Sequence, residues 1–491
     1  MRPIILLEVF RKTVVRIIIQ RLDNIFVKHN ILEGPNYSGL SGNSTAGPIH
    51  IMNNILEDVR QKNKEVWILF QNMKKAFDSV SLVMIEKVLK RIKLPEIAIS
   101  FLLNLYNERK IKVITEYGLT EEFVAGDGLD QGEVVSPLMW RIFYDPLLCT
   151  IHKEEDLGYK IELNWPQDLR TNKLRTTCWQ QGVLAYADDT TWIARSQKEM
   201  QKLINISAEF YEINDIEINS KKSELLVLNS GYNRTTDGIL GIKMGESNEI
   251  VHAKREKNAI RHLGVWISEN GGKECNEAVI KKEVAKMCKA ITWKRASVSQ
   301  LVYLNNSVLM PSIEYRLQTV FLSKTSCEQI QRPIWTLIKN KLGLARSAPN
   351  SMCSHMKLLG LRTIWQNQIA HHITELTVRI NRQDEVGITT RLRIKEAQLK
   401  CMSSDNILSS NSKLENTKLK FNLAYKIICK AKKIGFSFQE SSAYEDNIEI
   451  AGTSILSLLG KKEIARYRES NYLNIFVLEQ LILREGNILL T

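Results

Sequence analysis

The chain has 491 residues, a net charge of +14 at neutral pH and a sequence pI near 9.2. That length can bury large cores and calls for more than one domain. The excess of 68 Lys and Arg over 54 Asp and Glu suits a phosphate-rich partner, although many basic proteins bind no nucleic acid. The eight cysteines are scattered, with no Cys-x-x-Cys pair, which argues against a disulfide framework or a zinc module and for reduced thiols in an intracellular protein.

Met1 to Gln20 is interrupted by Arg2, Glu8, Arg11, Lys12 and Arg16, so it reads as neither a signal peptide nor a membrane span; no membrane is expected. Val66-Trp67-Ile68-Leu69-Phe70 is an apolar strand that leads through Lys75-Ala76-Phe77-Asp78 into a helix. Gln131-Gly132 closes a turn, and Ser136 and Pro137 fall at the cap and first positions of an apolar helix containing Leu138, Met139, Trp140, Ile142 and Phe143. Such a turn lets backbone approach a phosphate or a base, and it also reads as an ordinary loop-to-helix junction. Tyr186-Ala187-Asp188-Asp189 lies between the strand-like runs Val183–Ala185 and Thr190–Ala194. This is a hairpin with two carboxylates at its tip. Adjacent anions in an apolar setting suggest a compensating hard cation such as Mg²⁺; alone, the pair also reads as a solvated turn.

From Lys273 the pattern turns mostly helical, with Pro311, Pro333 and the loop from Gly343 to Pro349 as breakers. Lys282, Lys286 and Lys289 form a stripe opposite Val284, Cys288 and Ile291, and Lys426, Lys430 and Lys433 repeat the device beside Leu419, Leu423 and Ile427. Either could track a nucleic-acid backbone or be a solvated face. Ser403 to Ser412 is a polar candidate linker. His371 and His372 sit in a helical run and read as surface or core residues rather than ligands.

In this order and spacing, the segments around Lys75–Asp78, Gln131–Pro137 and Tyr186–Asp189 resemble motifs A, B and C of reverse transcriptases, most closely those of non-LTR, LINE-like retrotransposons. Met1–Leu7 with Arg11-Lys12 and Arg21-Leu22 resembles the first finger block. Gly34–Gly39 resembles the template-contacting block, Asn219–Ser223 motif D, and His262–Val265 motif E, the primer grip. The resemblance implies an α+β fold: a right-hand fingers–palm–thumb polymerase with an antiparallel palm sheet, followed by a mainly helical C-terminal region. Fingers and palm would occupy residues 1–265 and a thumb-like region 266–385. A linker and basic region of unassigned role would occupy 386–491.

It implies RNA-directed DNA polymerisation by two-metal nucleotidyl transfer, with Mg²⁺ as cofactor and an RNA template, a DNA primer and dNTPs as partners. Asp188 and Asp189 would ligate metal. Phe77 would be the gate against a 2′-hydroxyl, and Lys75, Gln131 and Gly132 would meet the nucleotide. Lys222 would stand near the leaving pyrophosphate, and Leu263 and Gly264 would let the primer backbone lie close. The element type implies a nuclear setting. The chain begins inside the first finger block, with no room for an upstream endonuclease and no C-terminal zinc knuckle, so it reads as the middle of a longer polyprotein or a decayed copy.

One departure stands out. Motif A of the family reads Asp-x-x-Lys-Ala-Phe-Asp, and the place of its first Asp, the third metal-binding carboxylate, is held here by Asn72. An amide offers a carbonyl oxygen but no charge and cannot bridge two cations equally well. A charge contact of this kind is worth about 3–4 kcal/mol of barrier, on the order of 10²–10³ in rate. The expectation is a polymerase fold with impaired chemistry; a catalytically inactive, nucleic-acid-binding relic is the alternative, and a degenerate reading frame that scarcely folds a third.

Overall fold

The computed structural model describes residues 4–168, 173–230, 240–245, 249–254, 259–268, 271–403, 406–408, 419, 421–438, 454–459, 463 and 477. Most of the candidate linker from Ser403 to Ser412, and most of the chain beyond 438, lies outside these residues. The chain divides into two compact units. The first comprises residues 1–48, 64–159 and 180–256; the second comprises 49–63, 160–179 and 257–491.

In the first unit, helix α1 (Val9–Lys28) is followed by α2 (Ala46–Lys62), which runs on into the second unit. Strand β1 (Val66–Gln71) is buried at every position but Phe70, as its continuous apolar run requires of a central strand. Helix α3 (Ser136–Lys153) comes next, then β2 (Val183–Tyr186), β3 (Asp189–Ala194), helix α4 (Gln197–Ile213) and β4 (Glu224–Leu228). The four strands form an antiparallel sheet in the order β4-β1-β3-β2. Its register is fixed by Trp67 opposite both Val227 and Ala194, and by Gln71 opposite Thr190. Trp67, Leu69, Trp192 and Ala194 share one core with Met139, Phe143 and Leu147 of α3 and Met200, Leu203 and Tyr211 of α4. Side chains alternate along a strand, so one face of the sheet is sealed by helices while its end carries the turns.

Ser136 is not the cap of α3 but its first residue; Val135 takes the cap position. The serine hydroxyl instead donates to the Asp130 carbonyl at 2.7 Å and meets the Tyr106 hydroxyl at 3.0 Å, which ties the preceding loop to the helix start.

From residue 257 the second unit runs through the hairpin β5 (Ile260–His262) and β6 (Val265–Ile267) and continues with α5 (Lys273–Thr292), α6 (Lys324–Lys341), α7 (Ile364–Ile380), α8 (Glu385–Cys401) and α9 (Leu423–Lys433). One core joins Ile280, Val284 and Ile291 to Ile313, Ile330 and Ile334; another joins Leu376 and Ile394 to Ile427 and Ile428. Two expected breakers do not break. Pro311 follows a π turn at Asn305–Leu309 inside a helical run from Val298 to Leu317, where the wider turn absorbs the missing N–H. Pro333 lies inside α6, where apolar packing outweighs one lost hydrogen bond. The stretch from Gly343 to Pro349 is a loop, as expected.

The second unit also holds most of α2. Arg393 of α8 is fully buried and lies 3.6 Å from both Glu57 and Asp58, with Glu396 as a closer partner. Among the described residues, no helix is long and apolar enough to cross a membrane. The architecture is α+β, an antiparallel sheet backed by helices and followed by a helical region, as anticipated.

Candidate active site

The two aspartates sit where the hairpin reading put them. Tyr186 pairs with Asp189, and Ala187 takes a left-handed φ of 53° to close the turn. Three groups hold that turn from behind. The Ala187 N–H donates to Ser38 Oγ at 2.8 Å and to Asn36 Oδ1 at 3.3 Å, while its carbonyl accepts the Trp140 indole N–H at 2.8 Å. The free edge of β2 is paired by backbone bonds from Tyr37 N–H to the Ala185 carbonyl and from Ala185 N–H to the Pro35 carbonyl. Asn36 and Ser38, in the block with template-contacting resemblance, are buried, and their polar groups are turned to the hairpin. Asp188 is half-buried and Asp189 exposed. Beneath them Tyr144 bridges the Thr190 hydroxyl at 3.1 Å and the Tyr211 hydroxyl at 2.7 Å, and burial pushes both phenols up, so they remain neutral.

Asn72 follows the last pair of β1 and β3, Gln71 opposite Thr190, so the register carries it alongside Asp189 on the same face. Gln71 accepts the Trp192 indole N–H on the sealed face, which leaves the half-buried Asn72 for the other. The Asn72 N–H donates to Ser223 Oγ at 3.2 Å, and its carbonyl accepts the Asn219 N–H at 2.8 Å. The loop carrying Lys222 is thus tied to the strand end; the Lys222 side chain is exposed. Lys75 is exposed with φ of 48°, at the turn leaving the strand.

The loop before α3 lies against that same turn. Leu129 N–H donates to the Phe77 carbonyl at 2.7 Å, and Gly128 N–H to the Val80 carbonyl at 2.9 Å. Phe77 is half-buried and stacks on Trp140, with ring centroids 5.3 Å apart. Gln131 is half-buried, and its carbonyl accepts the Ile5 N–H at 2.8 Å. Gly132 has φ of 132°, and a Cβ there would stand 2.4 Å from the Ile5 carbonyl oxygen, so only glycine fits. Arg109 pairs with Asp130 and donates to the carbonyls of Gly126, Asp127 and Gly128 at 3.0 to 3.1 Å. Burial raises the Asp130 pKa, and the Arg109 guanidinium opposes that rise. Arg11 of α1 holds Glu133 at 2.8 Å.

Asn72, Lys75, Phe77, Gln131, Gly132, Asp188, Asp189 and Lys222 therefore all belong to the first unit, while Leu263 and Gly264 belong to the second. Leu263 and Gly264 form the turn of the β5–β6 hairpin, both at positive φ, and the Tyr315 hydroxyl donates to the Leu263 carbonyl. Among the described residues, no group of three His, Cys, Asp or Glu stands together as a metal cluster. Asp188 and Asp189 at the hairpin and Asn72 at the neighbouring strand end carry two carboxylates and one amide. Hard oxygens of this kind fit a divalent cation, with one charge fewer than three carboxylates would bring.

Sequence reasoning missed the supports: Trp140 as a donor, Arg109, Asn36 and Ser38. A tryptophan in an apolar helix does carry a signal, because a buried indole N–H needs an acceptor. Arg109 sits in an ordinary charged run and gives none.

Residues 1–267 match the family profile described as Reverse transcriptase (RNA-dependent DNA polymerase). The chain belongs to the reverse transcriptase family. Among curated proteins it is similar to the Pol polyprotein of a type-2 retrotransposable element of Drosophila melanogaster, 23% identical over 54% of this chain and 23% of that one. It is also similar to the Pol polyprotein of a type-1 retrotransposable element of Popillia japonica, 21% identical over 71% of this chain and 46% of that one. This reverse transcriptase chain thus spans less than half the length of either relative. Among solved structures it is similar to telomerase from Candida tropicalis at 12% identity, covering 77% of this chain and 56% of that one, with a TM-score of 0.35. A Candida albicans telomerase gives 11% identity, 78% and 54% coverage and a TM-score of 0.36.

Proposed function

We propose that the chain is the polymerase portion of a non-LTR retrotransposon protein, an RNA-directed DNA polymerase whose chemistry is weakened by Asn72. The observation that supports this reading is the register of β1 on β3, whose last pair, Gln71 opposite Thr190, is next in sequence to Asn72 on one strand and Asp189 on the other. Asp188 and Asp189, with the amide oxygen of Asn72, would hold Mg²⁺. When bound, that ion would lower the pKa of a primer 3′-hydroxyl and offset charge on the leaving pyrophosphate. Phe77 would press on the sugar of an incoming dNTP, and Trp140 behind it would keep the ring in place. Gln131 and Gly132 would meet the templating pair, and Lys75 the triphosphate. Lys222, on the loop tied to Asn72, would supply a charge or a proton to the leaving group. Leu263 and Gly264 would carry the primer backbone. The template would be RNA and the primer DNA, in an intracellular and, by element type, nuclear setting. Residues 1–265 would act as fingers and palm and 266–385 as thumb.

The test is primer extension on an RNA template with Mg²⁺ and dNTPs, using the chain and its Asn72→Asp variant in parallel. Extension by the variant on the order of 10²–10³ faster supports the reading. Equal extension by both would remove the weight placed on Asn72. Asn72 itself favours a second reading, an inactive binding relic. That reading gains if neither protein extends while both still hold an RNA–DNA hybrid.

A further inference from the structure

Helix α5 presents one face that its core does not use. Val284, Cys288 and Ile291 are buried in the second unit, while Lys282, Lys286 and Lys289 are exposed opposite them. The stripe does not stop at the helix. Trp293, the residue that caps α5, follows Lys289 at the same four-residue step and is 89% exposed. Lys282 to Trp293 therefore forms a single row roughly 16 Å long. Lys294 and Arg295 extend it, and the Lys341 ammonium donates to the Lys294 carbonyl at 2.9 Å, adding a further cation at the tryptophan end. Lys281 is held by Glu277 and Glu283 by Arg316, and among the described residues no acid pairs with Lys282, Lys286, Lys289, Lys294 or Arg295.

An indole this exposed is costly in water, and it stands beside cations with no partner. The other basic helix differs: on α9, Lys430 lies over the Trp365 ring at 4.6 Å, so that pair satisfies itself. A membrane would gain little from α5, because its apolar face is buried and a single ring remains for lipid. A polyanion with a flat apolar group beside its charges fits every part of the row. We propose that this lysine–tryptophan row binds an unpaired nucleic-acid strand, phosphates along Lys282, Lys286 and Lys289 and a base stacked on Trp293. A paired base would hide its face from the ring, so the strand must be single or locally open. This binding needs neither metal nor catalysis, and it stands apart from the polymerase reading.

The test uses the full chain in EDTA without dNTPs, titrated with labelled oligouridylate RNA, oligothymidylate DNA and a blunt duplex across a salt series. Trp293→Ala should weaken both single strands about tenfold, with Trp293→Phe recovering most of the loss. Replacing Lys282, Lys286 and Lys289 together by Gln should reduce the slope of log affinity against log salt by about two. Thermal melts of the variants should match the parent. RNA carrying 5-iodouridine should crosslink to the peptide containing Trp293. Unchanged single-strand affinity in Trp293→Ala would overturn the proposal, as would a loss confined to the duplex or to anionic vesicles. Crosslinks confined to the first unit would overturn it while leaving the polymerase reading standing. Failure of Asn72→Asp to extend a primer, with the crosslink present, would do the reverse.

Discussion

The backbone N–H of Asn72 donates to the hydroxyl of Ser223 at 3.2 Å, and that hydroxyl in turn donates to the Asn219 carbonyl at 2.9 Å. This buried side chain adds to the Asn219 N–H bond on the Asn72 carbonyl in joining the strand end to the loop that carries Lys222. Ser223→Ala would leave the Asn72 N–H without that acceptor, at a cost of about 1–3 kcal/mol. In the Asn72→Asp background it should also slow primer extension, since Lys222 loses its anchored loop. Urea denaturation and extension rates measured on the same variants check both parts.

Trp140 offers a separable contact. Trp140→Phe keeps a ring against Phe77 but removes the donor to the Ala187 carbonyl, leaving that half-buried oxygen only the Asn36 amide at 3.5 Å. A loss of about 1–3 kcal/mol is expected. If the hairpin tip shifts, extension by the Asn72→Asp, Trp140→Phe protein should need more Mg²⁺ than Asn72→Asp alone. An unchanged Mg²⁺ requirement would reduce Trp140 to a packing residue.

Arg393 is the hub of a buried charge cluster with Glu57, Asp58 and Glu396. Burial raises the Glu57 pKa, and Arg393 is the largest influence opposing that rise. Arg393→Met would leave Glu57 without its buried cation, Asp58 with Lys62 and Glu396 with Lys400, and should destabilise the second unit by about 3–5 kcal/mol. Hydrogen exchange should then show faster opening of α2 together with α8.

Three buried histidines make stability depend on pH, and burial holds His50 among them well below the ordinary range. Burial holds His262 down to about 4, and burial with lesser repulsion from His371 holds His372 down to about 3. The unfolded chain takes up these protons near the ordinary histidine pKa of about 6.5, while the folded chain does not. Their contribution is thus fully present above about pH 6.5 and is lost as pH falls toward 4 and then 3, at up to about 1.4 kcal/mol per pH unit for each. Urea midpoints at pH 7 and pH 5 should differ in that direction. His372→Gln, which can still donate to the Val320 carbonyl, should flatten the difference.

What the sequence made legible was local. The YADD turn, the Gln131-Gly132 turn and the central strand Val66–Phe70 each follow from a few adjacent residues whose backbone or burial preferences point one way. The order of these segments was enough for the family. Legibility failed where the deciding partner is remote. Ser136 looked like a cap because nothing nearby announced that Asp130 and Tyr106 would take its hydroxyl. Pro311 and Pro333 looked like breaks because the packing that carries the helices through them comes from other elements. Trp140 read as one apolar residue among five, since its acceptor lies on a hairpin tip 47 positions away.

The acids of α2 also bear on how the chain is made. Gln61, beside them, bonds Arg393 across 332 positions of sequence. A ribosome adding roughly 5–20 residues per second would release α2 many seconds before the arginine that packs against Glu57 and Asp58 exists. Through that interval Asp58 has Lys62 of its own helix at 2.6 Å, but Glu57 still lacks Arg393. A gene fragment stopped at residue 265 would prolong that interval indefinitely, so a soluble palm should be sought in the whole chain and not in its first half.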